Sequence, residues 1–357
     1  TDDGLAAAPP QPAAFRNPHA GRTARPGSAV LDVHRCARIH RPLYTAPMTP
    51  GSSAPAAGRA LLVGTTCYLL ASLFWGMNIP MTAILFRTFD PIFMAPVRVA
   101  IGALVLLAIV VAVYGWRSFG TATTAPRLAL MTLAMAGFYV LYNLGLLYTN
   151  TITAAAIMAG GPVYSALILR ILFRTPLEKG FWGAAALTLL GAGIAVYGRA
   201  SDSGQGLVLQ GGEPLILLSM VCWTLYSIWS QRWFDPAVPQ LRRTYAALVG
   251  SALWLFLFWA LVRAAGLVGP PQLQPGPDAI TWLLVTAVFA TALGGFAWNF
   301  GVNRVGLAAG TLWQNTVPVF AVLISILFGI HPTAEQVLGG AIVIAGVLYM
   351  QWRRVRA

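Results

Sequence analysis

Chemistry in this 357-residue sequence has to come from amides, aromatic rings and two arginines, because its ten carboxylates are poorly placed for it. Asp2, Asp3, Asp32, Asp90, Glu178, Asp202, Glu213, Asp235, Asp278 and Glu335 all fall in the N-terminal segment or at the ends of long apolar runs. A proton or sodium relay usually needs a carboxylate inside a membrane span, so flux is expected to follow the substrate's own gradient. His19, His34 and His40 lie in the N-terminal segment and His331 in a turn. Cys36, Cys67 and Cys222 show neither paired nor metal-type spacing and read as free thiols. An intramembrane hydrolase or transferase needs a nucleophile or general base held near a partner. The sequence offers none, so it implies a protein that is not an enzyme, with no catalytic residue, cofactor or metal.

The polar groups that do lie within apolar runs fall on shared helical faces. Trp75, Asn78 and Thr82 are spaced i, i+3 and i+7, and Trp223, Tyr226, Ser227 and Ser230 repeat that pattern. A polar stripe in lipid must look inward, where it either lines a cavity or ties helices together by hydrogen bonds. Pro318 has no amide to offer the carbonyl of Gln314, which is flanked by Trp313 and Asn315. Pro162 and Pro80 free the carbonyls of Met158 and Gly76 in the same way, and the alternative is that all three prolines only shape helix curvature. Trp75, Asn78, Tyr139, Asn143, Trp223, Tyr226, Asn299, Trp313, Gln314 and Asn315 are thus the candidate substrate-binding residues.

Arg98 lies seven residues past Pro91, roughly 10 Å into its run at the helical rise of 1.5 Å per residue. A guanidinium at that depth is costly unless it is paired, hydrated or snorkelling. It and Arg243 are read with Pro80, Pro162 and Pro318 as gating or structural elements, with recognition of a substrate carboxylate as the alternative for the arginines.

These residues sit in a chain that repeats itself. Tyr142-Asn143-Leu144-Gly145 followed by Pro162 recurs 156 positions later as Trp298-Asn299-Phe300-Gly301 and Pro318. Arg87-Thr88-Phe89-Asp90-Pro91 leading to Arg98 recurs 145 positions later as Arg232-Trp233-Phe234-Asp235-Pro236 leading to Arg243. The eleven-residue difference fits an insertion in the Pro-rich link between Val268 and Asp278. At the divergent triplet, Trp313-Gln314-Asn315 stands opposite Ile157-Met158-Ala159, as a substrate site built on one side of a paired scaffold would require.

The composition is 57% hydrophobic and 9% charged, against roughly 25% charged in a soluble domain, and this defines a membrane protein. The +13 charge lies in the N-terminal segment and in short turns, which suits anionic lipid head groups and excludes a nucleic-acid partner. Ten apolar runs are expected to cross the membrane: 61–83, 92–114, 128–148, 152–173, 179–198, 213–233, 240–264, 279–300, 306–329 and 334–352. Twelve turn cations against three (Arg87, Arg199 and Arg263) put both termini in the cytoplasm. Residues 1–58, rich in Ala, Pro, Gly and Arg, form an expected disordered cytoplasmic tail, and Met48 marks residues 1–47 as an expected upstream extension. Two five-helix repeats follow, 59–200 and 201–357. An odd number of helices per repeat inverts the second copy, so the fold class is all-α integral membrane, with a central cavity between inverted halves. Gly183, Gly191, Gly339, Gly340 and Gly346 suit close helix approach within a monomer or at a homodimer interface.

Over residues 60–352 the chain resembles the drug/metabolite transporter superfamily, of the ten-helix EamA type. The resemblance rests on Trp75-Gly76-Met77-Asn78, Pro96 and Arg98, Pro162 and Pro318, the glycines near residues 183–191 and 339–346, and the two-fold repeat. It implies export of small metabolites across a bacterial inner membrane, with amino acid exporters, aromatic ones included, among the relatives. The reading favoured is export of a neutral or aromatic amino acid. A sugar-phosphate or nucleotide-sugar exchanger is the alternative within transport, and an intramembrane transferase the alternative of another class.

Overall fold

The computed structural model describes residues 54–86, 88–116, 123–149, 151–204, 211–271, 276–327 and 333–356. Residues 1–53 of the expected tail, with Arg87, Arg117, His331 and Pro332, lie outside the described residues. Every regular element among those described is helical. They are α1 (Ala54–Leu85), α2 (Pro91–Tyr114), α3 (Ala125–Leu147), α4 (Thr151–Ala159), α5 (Gly161–Ile171), α6 (Phe181–Ser203), α7 (Glu213–Arg232), α8 (Gln240–Ala264), α9 (Pro277–Val285), α10 (Gly294–Val305), α11 (Leu307–Gln314), α12 (Val317–Ile326) and α13 (Ala334–Val355). A π-helical stretch, Thr286–Leu293, joins α9 to α10.

Among the described residues, eight helical stretches are long and apolar enough to cross a membrane, including the joined stretches Asp278–Val305 and Leu307–Ile324. Helix α7 is not among them, and it carries Ser219, Thr224, Ser227 and Ser230, all of them buried against protein. The expected run 152–173 is broken at Gly160 into α4 and α5. Pro162 and Pro318 each occupy the second position of a new helix, α5 and α12, where the missing amide costs nothing. Pro80, by contrast, is carried inside the continuous α1.

Helix ends absorb the acidic residues. Asp90 caps α2, its Oδ1 accepting from the amides of Ile92 at 2.7 Å and Phe93 at 3.3 Å. Glu213 Oε1 accepts from Thr149 at 2.7 Å, and Asp235 Oδ1 from the amide of Ala237 at 2.9 Å.

The long contacts pair α1 with α10, α2 with α8, α3 with α7 and α6 with α13. In the last pair Gly191 and Gly339 meet back to back, and a Cβ on either would strike the carbonyl of the other. Lipid offers no hydrophobic drive between helices, so this approach gains stability from van der Waals contact that only small residues permit. Cys67 and Cys222 are free thiols.

Candidate functional site

Three indoles from three helices meet at the centre. Trp75 on α1, Trp223 on α7 and Trp298 on α10 have ring centroids 5.5 Å (75–223), 5.4 Å (75–298) and 5.6 Å (223–298) apart. The cluster extends through Phe138, 5.1 Å from Trp223, and Tyr226, 5.6 Å from Trp223. Separations this short are ring contact and leave no gap for a ligand. The open, ring-lined cavity expected from the sequence is therefore filled here by its own lining. A small pocket lined by Val140, Asn143 and Phe258, outside this cluster, holds about 10 Å³, room for about one water.

The π stretch orients one of these rings. Each π turn displaces a carbonyl from its usual helical partner, and Ala290 O accepts from Trp75 Nε1 at 3.1 Å. Trp298 Nε1 donates to Ser227 Oγ at 3.2 Å, whereas the buried Nε1 of Trp223 has no hydrogen-bond partner among the described residues.

On one side of the cluster, Asn299 is fully engaged. Its Nδ2 donates to Tyr226 OH at 2.9 Å and Thr244 Oγ1 at 3.4 Å, and its Oδ1 accepts from Ser230 at 3.5 Å. Tyr226, Ser230, Thr244 and Asn299 are all at most 2% exposed. Close by in sequence, Arg243 donates from Nε to Val238 O at 2.6 Å and from Nη2 to Pro236 O at 2.7 Å.

On the other side the corresponding residues are looser. Asn143, the position 156 before Asn299, makes one long bond, to Pro91 O at 3.4 Å, and keeps part of its surface accessible. Tyr139 and Tyr142, on the same helix α3, likewise remain partly accessible. Arg98 Nη1 donates to Asn78 Oδ1 at 3.2 Å and Thr82 Oγ1 at 3.3 Å, and Thr82 donates to Asn78 at 3.1 Å.

The break between α11 and α12 forms a third group. Asn315 Nδ2 donates 3.2 Å to Ala159 O, at the end of α4 beside the break to α5. Trp313 is 7% exposed and faces protein, and its carbonyl accepts from Ser72 at 3.1 Å. Gln314 is partly accessible, and among the described residues no hydrogen bond links its side chain to the other candidates. The structure thus gathers Trp75, Trp223 and Tyr226 around Trp298, places Trp313 in the same buried core, and joins Asn78 to Arg98, whereas Asn315 bonds to α4.

Sequence reasoning did not single out Phe138, Tyr68 or the π stretch. Phe138 was reachable, since it precedes Tyr142 by four residues and so shares its helical face. Tyr68, whose OH donates to Gly306 O at 2.7 Å and whose ring lies 5.5 Å from Trp298, carries no local signal.

The model of the EamA-like transporter family matches the chain twice in succession, over residues 62–197 and 210–352. The chain belongs to the EamA-like transporter family. This EamA-like protein is 26% identical over 278 residues to the uncharacterized transporter YyaM of Bacillus subtilis, covering 78% of this chain and 90% of that protein. It is 27% identical over 270 residues to a protein of Escherichia coli named biotin transporter, covering 73% and 83%. A solved crystal structure superposes with a TM-score of 0.69 at 18% identity, covering 84% of this chain and 99% of the other, which speaks to the fold alone. Family membership makes it a multi-pass membrane transporter of small molecules and not an enzyme.

Proposed function

We propose that this transporter exports a small neutral or aromatic amino acid across the inner membrane by alternating access between two inverted five-helix halves, 59–200 and 201–357. Ten crossings, with α4–α5 and α7 added to the eight long apolar stretches, give each half five and leave both termini in the cytoplasm. The double match of one family model supports the duplication. So does the neighbour map: α3 against α7 has its counterpart in α10 against α1, and Asn315 bonds to Ala159, the residue 156 positions earlier. Residues that correspond under a two-fold axis touch one another only close to that axis.

The observation that carries the reading is unequal closure at equivalent places. Trp298 and Asn299 are sealed, Asn299 by hydrogen bonds to Tyr226 and Thr244, while their counterparts Tyr142 and Asn143 in the other half remain partly accessible. Two equivalent gates, one shut and one loosened, are what alternating access requires. With the N-terminus inside, the sealed gate is the cytoplasmic one, and the central indoles form the floor beneath the opposite opening.

Aromatic walls with a few amides suit an apolar side chain bearing a compact polar head. Relatives named biotin transporters favour a second reading within the same site, a biotin-like acid with an apolar ring body. Proteoliposomes loaded with labelled phenylalanine, tryptophan, threonine and biotin test both. Release of phenylalanine or tryptophan above protein-free vesicles is expected, and the amino acid reading fails if none of the three amino acids moves.

A further inference from the structure

Arg98 holds a charge that the protein itself does not balance. It is 8% exposed, and among the described residues its Nη1 donates only to the neutral Asn78 and Thr82 and its buried Nε has no hydrogen-bond partner. Among the described residues no carboxylate pairs with it. Buried charges without a counter-charge are strongly disfavoured, all the more where the surroundings are apolar. Arg243, 145 positions later, shows how the same side chain can be satisfied by structure alone, because two loop carbonyls take its Nε and Nη2. The donor left over at Arg98 is thus not a general consequence of an arginine at this position.

A second unpaired donor lies along a continuous path of rings. Tyr139 and Tyr142 are within electrostatic reach of Arg98. Phe138 stacks on Tyr142 at 5.8 Å and meets Trp223 at 5.1 Å, and the Nε1 of Trp223 is also a buried donor with no hydrogen-bond partner among the described residues. A cation stands at one end of this path, a neutral N–H at the other, and apolar ring faces lie between.

We infer that Arg98 is the carboxylate-binding residue of the transport site, taking a monocarboxylate whose ring or apolar body lies along Phe138, with Trp223 Nε1 placed to meet a neutral acceptor where the substrate carries one. The inference rests on the transport reading above and narrows its substrate class. Guanidinium offers Nε and Nη as a planar pair that matches a carboxylate. Asn78 and Thr82 act as positioning residues, holding the Nη1 edge so that Nε is presented. A phosphate dianion would bring one negative charge more than this single cation neutralises, which disfavours sugar phosphates here. Nε is covered by protein atoms, so a ligand reaches it only when the rings part, and recognition is thereby tied to the opening of the halves.

The test uses the full chain in nanodiscs, with intrinsic tryptophan fluorescence as the binding signal and two matched pairs of probes: phenylalanine with phenylalaninamide, and biotin with biotinamide. At least one acid is expected to bind tenfold or more tightly than its amide. Arg98→Gln should bring that ratio to about one while the amide still binds, and Arg98→Lys should restore part of it. Asn78→Leu, which keeps the charge but releases its anchor, should lower the ratio without abolishing it. An acid-to-amide ratio unchanged in Arg98→Gln, or the absence of acid preference in the unsubstituted protein, overturns the inference. Flux measured separately keeps the two readings apart: flux without acid preference removes the Arg98 site alone, and Arg98-dependent acid binding without flux removes the transport reading alone.

Discussion

Replacing Asn299 by Ala should open the sealed side of the molecule, and the size of the effect can be worked from its bonds. The substitution removes donation to Tyr226 at 2.9 Å and Thr244 at 3.4 Å and acceptance from Ser230 at 3.5 Å. Interhelical hydrogen bonds in a membrane are worth about 0.6 kcal/mol each on average, so three amount to about 1.8 kcal/mol. That is a shift of roughly twentyfold in the balance between sealed and open forms. Asn143→Ala removes one bond of 3.4 Å from a partly accessible site, about 0.6 kcal/mol or roughly threefold. The assay is labelling of Gln231→Cys by a membrane-impermeant maleimide applied from the cytoplasmic side, in a background without Cys36, Cys67 and Cys222. Gln231 suits the purpose because its Nε2 donates to Asn299 O at 3.4 Å, at the edge of the sealed group. Labelling should rise about twentyfold with Asn299→Ala, whereas Asn143→Ala, which loosens the opposite side by roughly threefold, should not raise it. Equal effects of the two variants would refute the assignment of one closed and one loosened gate.

Gly191→Leu should prevent α6 and α13 from meeting, since even a Cβ there strikes the Gly339 backbone; a loss above about 3 kcal/mol is expected, and a monodisperse chromatographic peak with unchanged melting temperature would contradict the packing. Trp75→Phe keeps a ring but loses the 3.1 Å bond to Ala290, so a modest fall in melting temperature is expected, smaller than for Trp75→Ala, which leaves a hole among the indoles; equal losses would argue that the bond and not the ring matters. Gln314→Leu should cut flux severely at unchanged expression, because its partly accessible amide lies at the break between α11 and α12; full flux would remove it from the substrate path.

How much could be read in advance differs from residue to residue. Prolines at 162 and 318, carboxylates at run ends and small residues in Gly191 and Gly339 act through rules that span only a few neighbours along the chain, and the structure uses them as breaks, caps and close contacts. The apolar runs were legible for the same reason: burying a span in hydrocarbon constrains length and composition locally. Membership of a transporter family was legible too, because it rests on repeated motifs.

What the linear order could not carry was the pairing of distant atoms. Asn143 and Asn299 look alike in sequence, yet one is held by three side chains and the other by a single long bond. Arg98 and Arg243 look alike too, and only the positions of Pro236 and Val238 carbonyls decide that one is satisfied and the other keeps a donor free. Likewise, the expected chamber became a ring cluster because three indoles from α1, α7 and α10 can fill it, and their 5.4–5.6 Å separations are set by how those helices pack. Composition thus determined that this chain lives in a bilayer and which side chains it holds there. Tertiary packing alone decided which of those side chains satisfy one another, because hydrogen bonding and ring contact act over a few ångströms between residues that are mostly tens to hundreds of positions apart.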